Sequence, residues 1–341
     1  MRFVERVCPN CGASVPDGNS FCEECGAHIQ EKKEINIRNY MMQGIVFVAL
    51  FLFFAITLPY FTHASILCGI LRKTCILAIA SAGTCFVIGA GLIDLSVGSV
   101  AGLSFVLTTI ALDQQSVEFA ITIGFAVGLT AGLLNGVVIA YLKIPALLAT
   151  LGMQMICLGT SRMVTIQNVG YIENPFFFNV FGSRYCGGIV WMFVICTLCW
   201  FVLSKTAFGR NVLEVGKDAD AAKYSGINIT SVQISVMIIS GIFAALAGML
   251  LRGNVDGYSY SMSETLGTCA IAAVFIGGTR ISGGKTSIPG AVFGSLLIEM
   301  IKTALVLYGL NQQVQMIFSG LVIILAVAIA IKRESLDQRG R

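Results

Sequence analysis

The chain has 341 residues, of which 56% are apolar and only 12% are charged. About a quarter of the residues in a soluble globular domain are charged, so this composition excludes a soluble protein. Apolar runs near the ~20 residues that span a bilayer recur along the chain, and they predict an all-α polytopic membrane protein. The chain has 2 histidines, which leaves little room for histidine-based catalysis or a histidine-rich metal site.

Two cysteine pairs open the chain, Cys8 with Cys11 and Cys22 with Cys25, and a glycine follows the second cysteine of each pair. Two C-x-x-C pairs at this spacing can place four thiolates around one zinc ion. Residues 1–30 are therefore predicted to form a zinc ribbon, and its zinc is structural because all four ligand positions are filled. A pair of disulfides or a redox C-x-x-C is the alternative, and a cytoplasmic location favours zinc over both.

Residues 31–40 form a charged linker, and a transmembrane domain is predicted over residues 41–335. With ten spans and the head inside, sixteen of the 22 Lys and Arg residues fall on the inner side. This positive-inside bias predicts cytoplasmic termini and a cytoplasmic loop at 204–230. Two predicted spans are irregular, since 98–113 is short and 264–281 is interrupted by glycines. The predicted spans cover residues 41–60, 75–94, 98–113, 118–141, 145–166, 188–204, 231–251, 264–281, 287–309 and 311–331.

The span that contains Asp94 ends in the sequence Gly-Leu-Ile-Asp-Leu-Ser-Val-Gly-Ser, residues 91–99. A carboxylate in a membrane segment is costly against lipid, so Asp94 should face protein or water. Either Asp94 lies on the path of a solute, or it caps the helix that begins after it, and we favour the cap. As candidates for a translocation path or its gate we take Asp94, Ser96, Asn135 and Thr150.

The fourth predicted span carries a small residue at every fourth position. This spacing places the small residues on one helix face and lets another backbone approach closely. The span is therefore predicted to be a central helix, with Gly124, Gly128, Gly132 and Gly136 as packing residues. The full series is Ala120, Gly124, Gly128, Gly132, Gly136 and Ala140.

The loop at 204–230 is polar in a chain built of apolar runs. Asp218 or Asp220 can cap a short helix, Lys223 suits its last turn, and Gly226 can take the left-handed conformation after it. A two-turn helix is unstable alone in water, so it should pack on something. We interpret it as a docking element through which a soluble partner moves the membrane helices, and an ordinary solvated loop is the alternative.

Residues 277–286, Gly-Gly-Thr-Arg-Ile-Ser-Gly-Gly-Lys-Thr, end like a phosphate-binding loop. Such a loop requires G-x-x-x-x-G-K-[ST], and here Thr279 stands where the first glycine is needed. A membrane span precedes the segment, whereas a phosphate-binding loop follows a strand. We therefore exclude nucleotide binding on this chain and expect a Gly-rich cytoplasmic turn.

Several motifs together resemble the ribose/xylose/galactose branch of the ABC-importer permeases, and in the order of that family they cover residues 40–335. Two departures are mild: Leu92 stands where a second glycine is usual, and Asp218 stands where asparagine is usual. The larger departure is the zinc head, whose sequence does not say what it does. The motifs are GLIDLSVGS (91–99), PALLATLG (145–152), TAFGR (206–210), GKDADAAKYSGIN (216–228) and IAAVFIGGTRISGG (271–284).

The resemblance implies a multi-pass subunit of the bacterial cytoplasmic membrane, surrounded by lipid, that forms a homodimer and needs no cofactor in its membrane domain. It would receive a monosaccharide from an extracytoplasmic binding protein and be driven by a separate ATPase. No residue is then expected to perform covalent chemistry, and no nucleic acid is a partner. The loop 204–230 would sit in a groove of that ATPase, with coupling residues Gly216, Asp218, Ala221, Ala222, Ser225 and Gly226.

Three alternatives remain at this point. The cargo could be a nucleoside or another small polar solute. A membrane enzyme would need clustered ionisable residues, but Asp94, Glu264 and Glu299 lie far apart in the sequence. A membrane sensor or scaffold that uses the zinc head to bind a partner is a remote third alternative.

Overall fold

The computed structural model describes residues 6–8, 10–15, 24–25, 37–114, 116–165, 175–182, 187–254 and 261–339. In the head, β1 (Arg6–Val7) pairs antiparallel with β2 (Ser14–Val15). The remaining elements in these ranges are helices. They are α1 (Ile37–Thr57), α2 (Ala64–Gly89), α3 (Val97–Gln114), α4 (Val117–Leu142), α5 (Ala146–Thr165), α6 (Pro175–Phe181), α7 (Gly187–Lys205), α8 (Ala207–Lys217), α9 (Ala219–Tyr224), α10 (Ile229–Arg252), α11 (Ser261–Ile276), α12 (Ile288–Leu307) and α13 (Gln312–Arg339).

Among the described residues, 7 helices are long and apolar enough to cross a membrane, namely α2, α4, α5, α7, α10, α12 and α13. Shorter apolar helices cover Gln43–Thr57 in α1, Val97–Asp113 in α3 and Thr265–Ile276 in α11. Together these helices correspond one for one to the ten predicted spans. The prediction of an all-α polytopic membrane fold is confirmed.

The largest difference from the predicted boundaries is at the second span. The second span was placed at 75–94, but α2 begins at Ala64 and continues through Arg72 and Lys73. Both basic side chains are exposed, so they do not interrupt the helix. Long cationic side chains near the end of a span can extend towards the interface while their helix continues.

Helix starts are marked by the capping residues that the sequence supplies. The Ser116 side chain accepts a hydrogen bond from Phe119 N at the start of α4, and Asn228 accepts one from Ser231 N at the start of α10. Ser287 caps α12 in the same way, with proline in the first turn. These contacts satisfy amide groups that have no partner inside the helix.

The small-residue face of α4 packs on α10. A Cβ atom added at Gly132 would lie 2.5 Å from the Met237 carbonyl oxygen, and one added at Gly128 would overlap the Gly241 carbonyl oxygen. At Gly136 the nearest atom would be Ile234 Cα at 2.8 Å. The two backbones therefore touch along this face, which only glycine permits.

At Gly124 the neighbours are side chains, with Thr108 Oγ1 at 2.6 Å and Met249 Sδ at 2.8 Å from an added Cβ. Ser104 donates to the carbonyl oxygens of Gly124, at 3.2 Å, and of Ala245, at 3.1 Å. This hydroxyl therefore joins α3, α4 and α10 in the interior of the bundle. The arrangement makes α4 and α10 the central pair of the bundle, and the polar cluster described below includes a residue of each.

Candidate functional site

The cysteine head has the geometry of a zinc site. The sulfur atoms of Cys8, Cys11 and Cys25 all lie within 4.8 Å of one another. Cys8 Sγ and Cys25 Sγ are 3.6 Å apart, close to the ~3.8 Å between two thiolates that each bind one tetrahedral zinc ion at ~2.3 Å. All three cysteines are free of disulfides. The fourth predicted ligand, Cys22, lies outside the described residues.

The turn between β1 and β2 prepares Cys8 for metal binding. Cys8 N donates to the Ala13 carbonyl oxygen at 2.8 Å, and Gly12 N donates to the Cys8 carbonyl oxygen at 2.9 Å. Backbone hydrogen bonds from Asn10 and Cys11 lower the pKa of the Cys8 thiol to about 7. The backbone bonds of Cys8 fix the turn, and the lowered pKa favours the thiolate, which is the form that binds zinc.

A buried polar cluster lies where α2 is joined to α3. Asp94 Oδ1 accepts hydrogen bonds from Ser96 N at 2.8 Å and from Ser96 Oγ at 2.6 Å. Asn135 on α4 donates to Ser96 Oγ at 3.1 Å, and Ser240 on α10 donates to Asp94 Oδ2 at 2.7 Å. Because the carboxylate accepts these hydrogen bonds, its burial in the protein is tolerated.

The fourth path candidate, Thr150 on α5, lies at the edge of the same cluster. Thr150 Oγ1 accepts a hydrogen bond from Leu95 N at 3.2 Å and donates to the Ala146 carbonyl oxygen at 2.8 Å. Asp94 and Thr150 are both buried, with exposed fractions of 2% and 0%. The structure thus brings all four candidates together, in an arrangement that is closed to solvent.

The favoured interpretation of Asp94 as the cap of α3 is corrected by the structure. The helix begins at Val97, and the Ser96 carbonyl oxygen accepts the first helical hydrogen bond, from Val100 N at 2.9 Å. Ser96 therefore occupies the capping position, and Asp94 holds Ser96 in place. Ser240 was missed because it lies 146 residues along the chain from Asp94.

The loop 204–230 contains two helices, of which the sequence predicted only the second. The first, α8, buries Gly209, Val212, Val215 and Gly216, which are positions i, i+3, i+6 and i+7 of one helix face. This amphipathic face packs on the membrane helices, while Arg210 and other polar residues stay exposed. Gly216 is therefore an interior residue and offers no surface to a partner.

The second helix, α9, begins and ends at the capping residues that the sequence predicts. The Asp218 side chain accepts hydrogen bonds from Asp220 N at 2.9 Å and from Ala221 N at 3.0 Å. Gly226, with φ of 81°, follows the helix, and Ile227 N donates back to the Ala222 carbonyl oxygen at 3.1 Å. This is a Schellman-type stop that requires the left-handed conformation which glycine adopts without strain.

The two neighbouring alanines of α9 point in different directions. Ala222 is 4% exposed and belongs to the hydrophobic core of the chain itself. The prediction that Ala222 is a contact for a partner is therefore corrected, because its side chain is already covered by its own protein. Ala221 and Ser225 are exposed. Tyr224, which the sequence analysis did not select, is 92% exposed.

The fold and these sites define a class of protein: a multi-pass membrane protein with a zinc-binding head and a buried polar cluster between its helices. The chain belongs to the family of branched-chain amino acid transport system permease components, whose model matches residues 66–327. Residues 7–29 match the zinc-ribbon domain family, in agreement with the cysteine geometry. The zinc of the head is structural.

Curated relatives match over most of their length. The chain is 34% identical over 277 residues to the fructose import permease protein FrcC of Rhizobium meliloti, which is 76% of this chain and 76% of that protein. It is 32% identical over 311 residues to the ribose import permease protein RbsC of Haemophilus influenzae, covering 87% and 95% of the two chains. No solved structure matches the chain.

A third relative is the galactose/methyl galactoside import permease protein MglC of Escherichia coli, 29% identical over 316 residues, or 85% of this chain and 94% of that protein. The predicted resemblance to sugar importer permeases is confirmed by these matches. The chain is a multi-pass protein of the bacterial plasma membrane, and its family consists of transporter permease components.

Proposed function

We propose that this chain is the permease subunit of an ABC importer for a monosaccharide of the pentose or hexose type. The observation that carries the proposal is the match over at least 76% of each chain to import permeases for ribose, galactose and fructose. The family description names branched-chain amino acids, which makes an amino acid the cargo to test against sugar. Nucleosides are the other alternative.

The cargo is tested on the binding protein that supplies the permease. Ribose, galactose, fructose, leucine and a nucleoside are each added to the purified binding protein, and its melting temperature is measured. Ligand binding stabilises the native state by mass action. A sugar alone should raise the melting temperature, and stabilisation by leucine or by the nucleoside instead would overturn the sugar assignment.

A separate ATPase is proposed to dock on the loop 204–230 from the cytoplasm, the side on which the positive-inside distribution puts both termini. The docking surface that the loop offers consists of Ala221, Tyr224 and Ser225, all exposed. Asp218 and Gly226 set the two ends of α9, while Ala222 and Gly216 attach the loop to the permease. An exposed aromatic side chain on a capped helix is well suited to fill a pocket on a partner.

A second copy of the chain is proposed to pack against α5, with the solute path between the copies. Of the 7 candidate spans, α5 is the least apolar, yet only a small share of it is buried. Gly152 and Gly159 are exposed, with nothing within 4 Å of an added Cβ. A helix of this composition is poorly suited to face lipid, whereas small residues suit a helix interface or a polar path.

The remaining poorly buried spans, α7 and α13, are the more apolar ones and suit contact with lipid. Their exposed side chains include Phe193, at 71%, and Ile324, at 66%. This contrast between α5 and the other exposed spans supports different neighbours for the two kinds of surface.

The proposed mechanism is alternating access. ATP binding closes the partner ATPase dimer, α9 moves with it, and the two permease copies tilt about the path between them. The cluster of Asp94, Ser96, Asn135, Thr150 and Ser240 is the inner gate, since these residues join four segments that must separate when the inside opens. The energy enters through contacts that differ between the closed and open states.

The test of the whole assignment is reconstitution of permease, ATPase and binding protein in lipid vesicles. We expect sugar uptake that requires all three proteins and ATP, together with ATP hydrolysis that rises when the loaded binding protein is present. Uptake without the ATPase, or the absence of stimulated hydrolysis, would contradict an ABC importer.

A further inference from the structure

Three segments of the chain meet at a place that we call the glycine junction, formed by Gly89, Gly216, Gly283 and Gly284. Gly89 ends α2, Gly216 lies in the last turn of α8, and the other two belong to the Gly-rich turn between α11 and α12. Gly284 N donates to the Gly89 carbonyl oxygen at 3.0 Å. Gly216, Gly283 and Gly284 are buried.

The contacts at the junction are made by backbone atoms. A Cβ atom added at Gly216 would overlap the Gly89 carbonyl oxygen and lie 2.7 Å from Gly284 N. A Cβ atom added at Gly283 would lie 2.8 Å from the Gly216 carbonyl oxygen and 2.8 Å from Gly91 Cα. Because backbone atoms of the three segments touch directly at these glycines, displacement of one segment acts on the other two.

The Gly-rich turn is itself a closed unit. Arg280 N donates to the Lys285 carbonyl oxygen at 3.1 Å, and the hydroxyl groups of Thr279 and Thr286 are 3.1 Å apart. Beyond the turn, a Cβ atom added at Gly290 of α12 would overlap the Gly277 carbonyl oxygen at the end of α11. The ends of α11 and α12 are therefore held to the turn and should move with it.

The junction lies between the docking helix and the polar cluster. Asp218 ends α8 and caps α9, so a force on α9 reaches Gly216 through two residues. On the other side, Gly91 is three residues before Asp94, and a Cβ atom added there would lie 3.6 Å from Gly216 Cα. A continuous series of backbone contacts thus joins α9 to the cluster.

We propose that the glycine junction transmits the movement of the coupling loop to the end of α2 and to the start of α12, and so opens and closes the gate. It is a positioning element, and this role explains the Gly-rich motif at 277–286, which resembles a phosphate-binding loop but lacks its first glycine. The proposal rests on the proposed function, since it requires an ATPase that pushes on the loop.

The first test is Gly216→Ala, with Gly69→Ala as its control. Both glycines are helical, but an added Cβ at Gly69 has nothing within 4 Å. In reconstituted vesicles we expect Gly216→Ala to keep co-purification with the ATPase and its basal ATP hydrolysis, while sugar uptake falls about tenfold because the junction is overpacked. Gly69→Ala should match the wild type.

The second test is Gly283→Ala, with Gly309→Ala as its control. Both glycines have left-handed φ values, 87° and 74°, so the backbone strain is shared, and only Gly283 has close neighbours. A similar loss of uptake in both variants would overturn the junction, as would wild-type uptake by Gly216→Ala or by Gly283→Ala. Loss of ATPase binding by Gly216→Ala would also overturn it, since the junction would then only shape the docking surface.

If Gly216→Ala does not fold, a pair of compensating substitutions tests the junction. A Cβ atom added at Gly284 would overlap Lys217 Cγ, an atom that Lys217→Ala removes. Gly284→Ala should lower uptake, and the double variant should recover part of it, whereas equal uptake by the single and double variants contradicts the proposal. If the wild-type proteins fail to assemble or to show stimulated hydrolysis, the proposed function fails instead, and that outcome is distinguishable because it does not depend on the variants.

Discussion

The Ser240 hydroxyl donates a hydrogen bond to Asp94 Oδ2 at 2.7 Å, which ties the middle of α10 to the connection between α2 and α3. The two residues are 146 positions apart in the chain, and both are buried. Loss of this bond leaves one carboxylate oxygen without that donor in the interior, which typically costs about 1–3 kcal/mol.

The first prediction concerns this pair. Ser240→Ala should lower the melting temperature of the permease in detergent. Because the closed gate is weakened, the variant should also raise the ratio of sugar-independent ATP hydrolysis to sugar uptake. Thr109→Val is the control, since the Thr109 hydroxyl is also buried but bonds within its own helix, to the Phe105 carbonyl oxygen at 2.7 Å. If both variants lose stability while the ratio of hydrolysis to uptake stays at the wild-type value, the cluster is structural and not a gate.

The second prediction separates the two faces of α9. Tyr224→Ala should weaken ATPase binding by about tenfold or more, as expected for an exposed aromatic anchor, without changing the melting temperature of the permease. The measurement is the binding affinity of the purified permease for the ATPase, with Lys217→Ala as a control on the same loop. Wild-type affinity for Tyr224→Ala would remove this tyrosine from the interface.

Ala222→Glu should behave differently, because Ala222 is 4% exposed inside the permease itself. A buried carboxylate without a partner costs several kcal/mol, so the variant should detach α9 from the bundle. We expect faster proteolysis within residues 204–230 of the permease alone, measured without any ATPase present. An unchanged digestion pattern would place Ala222 at a surface after all.

The third prediction concerns the packing of α4 on α10. Gly128→Leu places a side chain where the Gly241 carbonyl oxygen lies, and overpacking of this kind typically costs ~1–3 kcal/mol or more. Low yield or a lowered melting temperature in detergent is expected. Gly320→Leu, at a helical glycine with nothing within 4 Å of an added Cβ, should be tolerated. Equal stability of the two variants would contradict the packing of α4 on α10.

The fourth prediction concerns the metal. Purified protein should contain one zinc per chain, and Cys25→Ser should lower that content sharply because three thiolates hold zinc less tightly than four. Cys22→Ser should act in the same way. Cys68→Ser is the control, since Cys68 is an exposed cysteine on α2, away from the head. Full zinc content in Cys25→Ser would exclude Cys25 as a ligand.

The spans could be predicted from the sequence because an apolar run of sufficient length has few alternatives to a membrane helix. The cap at Asp218 and the stop at Gly226 were predictable for a similar reason, since local backbone geometry decides them. The start of α2 was missed, because Arg72 and Lys73 look like the end of a span even though a helix can continue through them.

Relationships between distant segments could not be predicted in this way. Periodicity does not say which side of a two-turn helix faces its own protein, so Ala222 was assigned to the partner surface and Tyr224 was not selected. Ser240 carries no local signal at all, because its role exists only when α10 lies beside Asp94. The Gly-rich turn was predictable as a turn. Its contact with Gly216 depends on where α8 packs, and the local sequence of the turn carries no signal for that position.

The separation of the two faces of α9 bears on how the ATPase specificity of such importers could be changed. Ala222 and the capping residues Asp218 and Gly226 hold the helix on the permease. Ala221, Tyr224 and Ser225 are exposed and make no part of that attachment. Under the proposed docking, substitutions on the outer face should change which ATPase binds while the contacts of α9 with its own membrane helices stay the same. A chimaera that exchanges only these three outer residues should bind a different ATPase while its transport pathway stays unchanged.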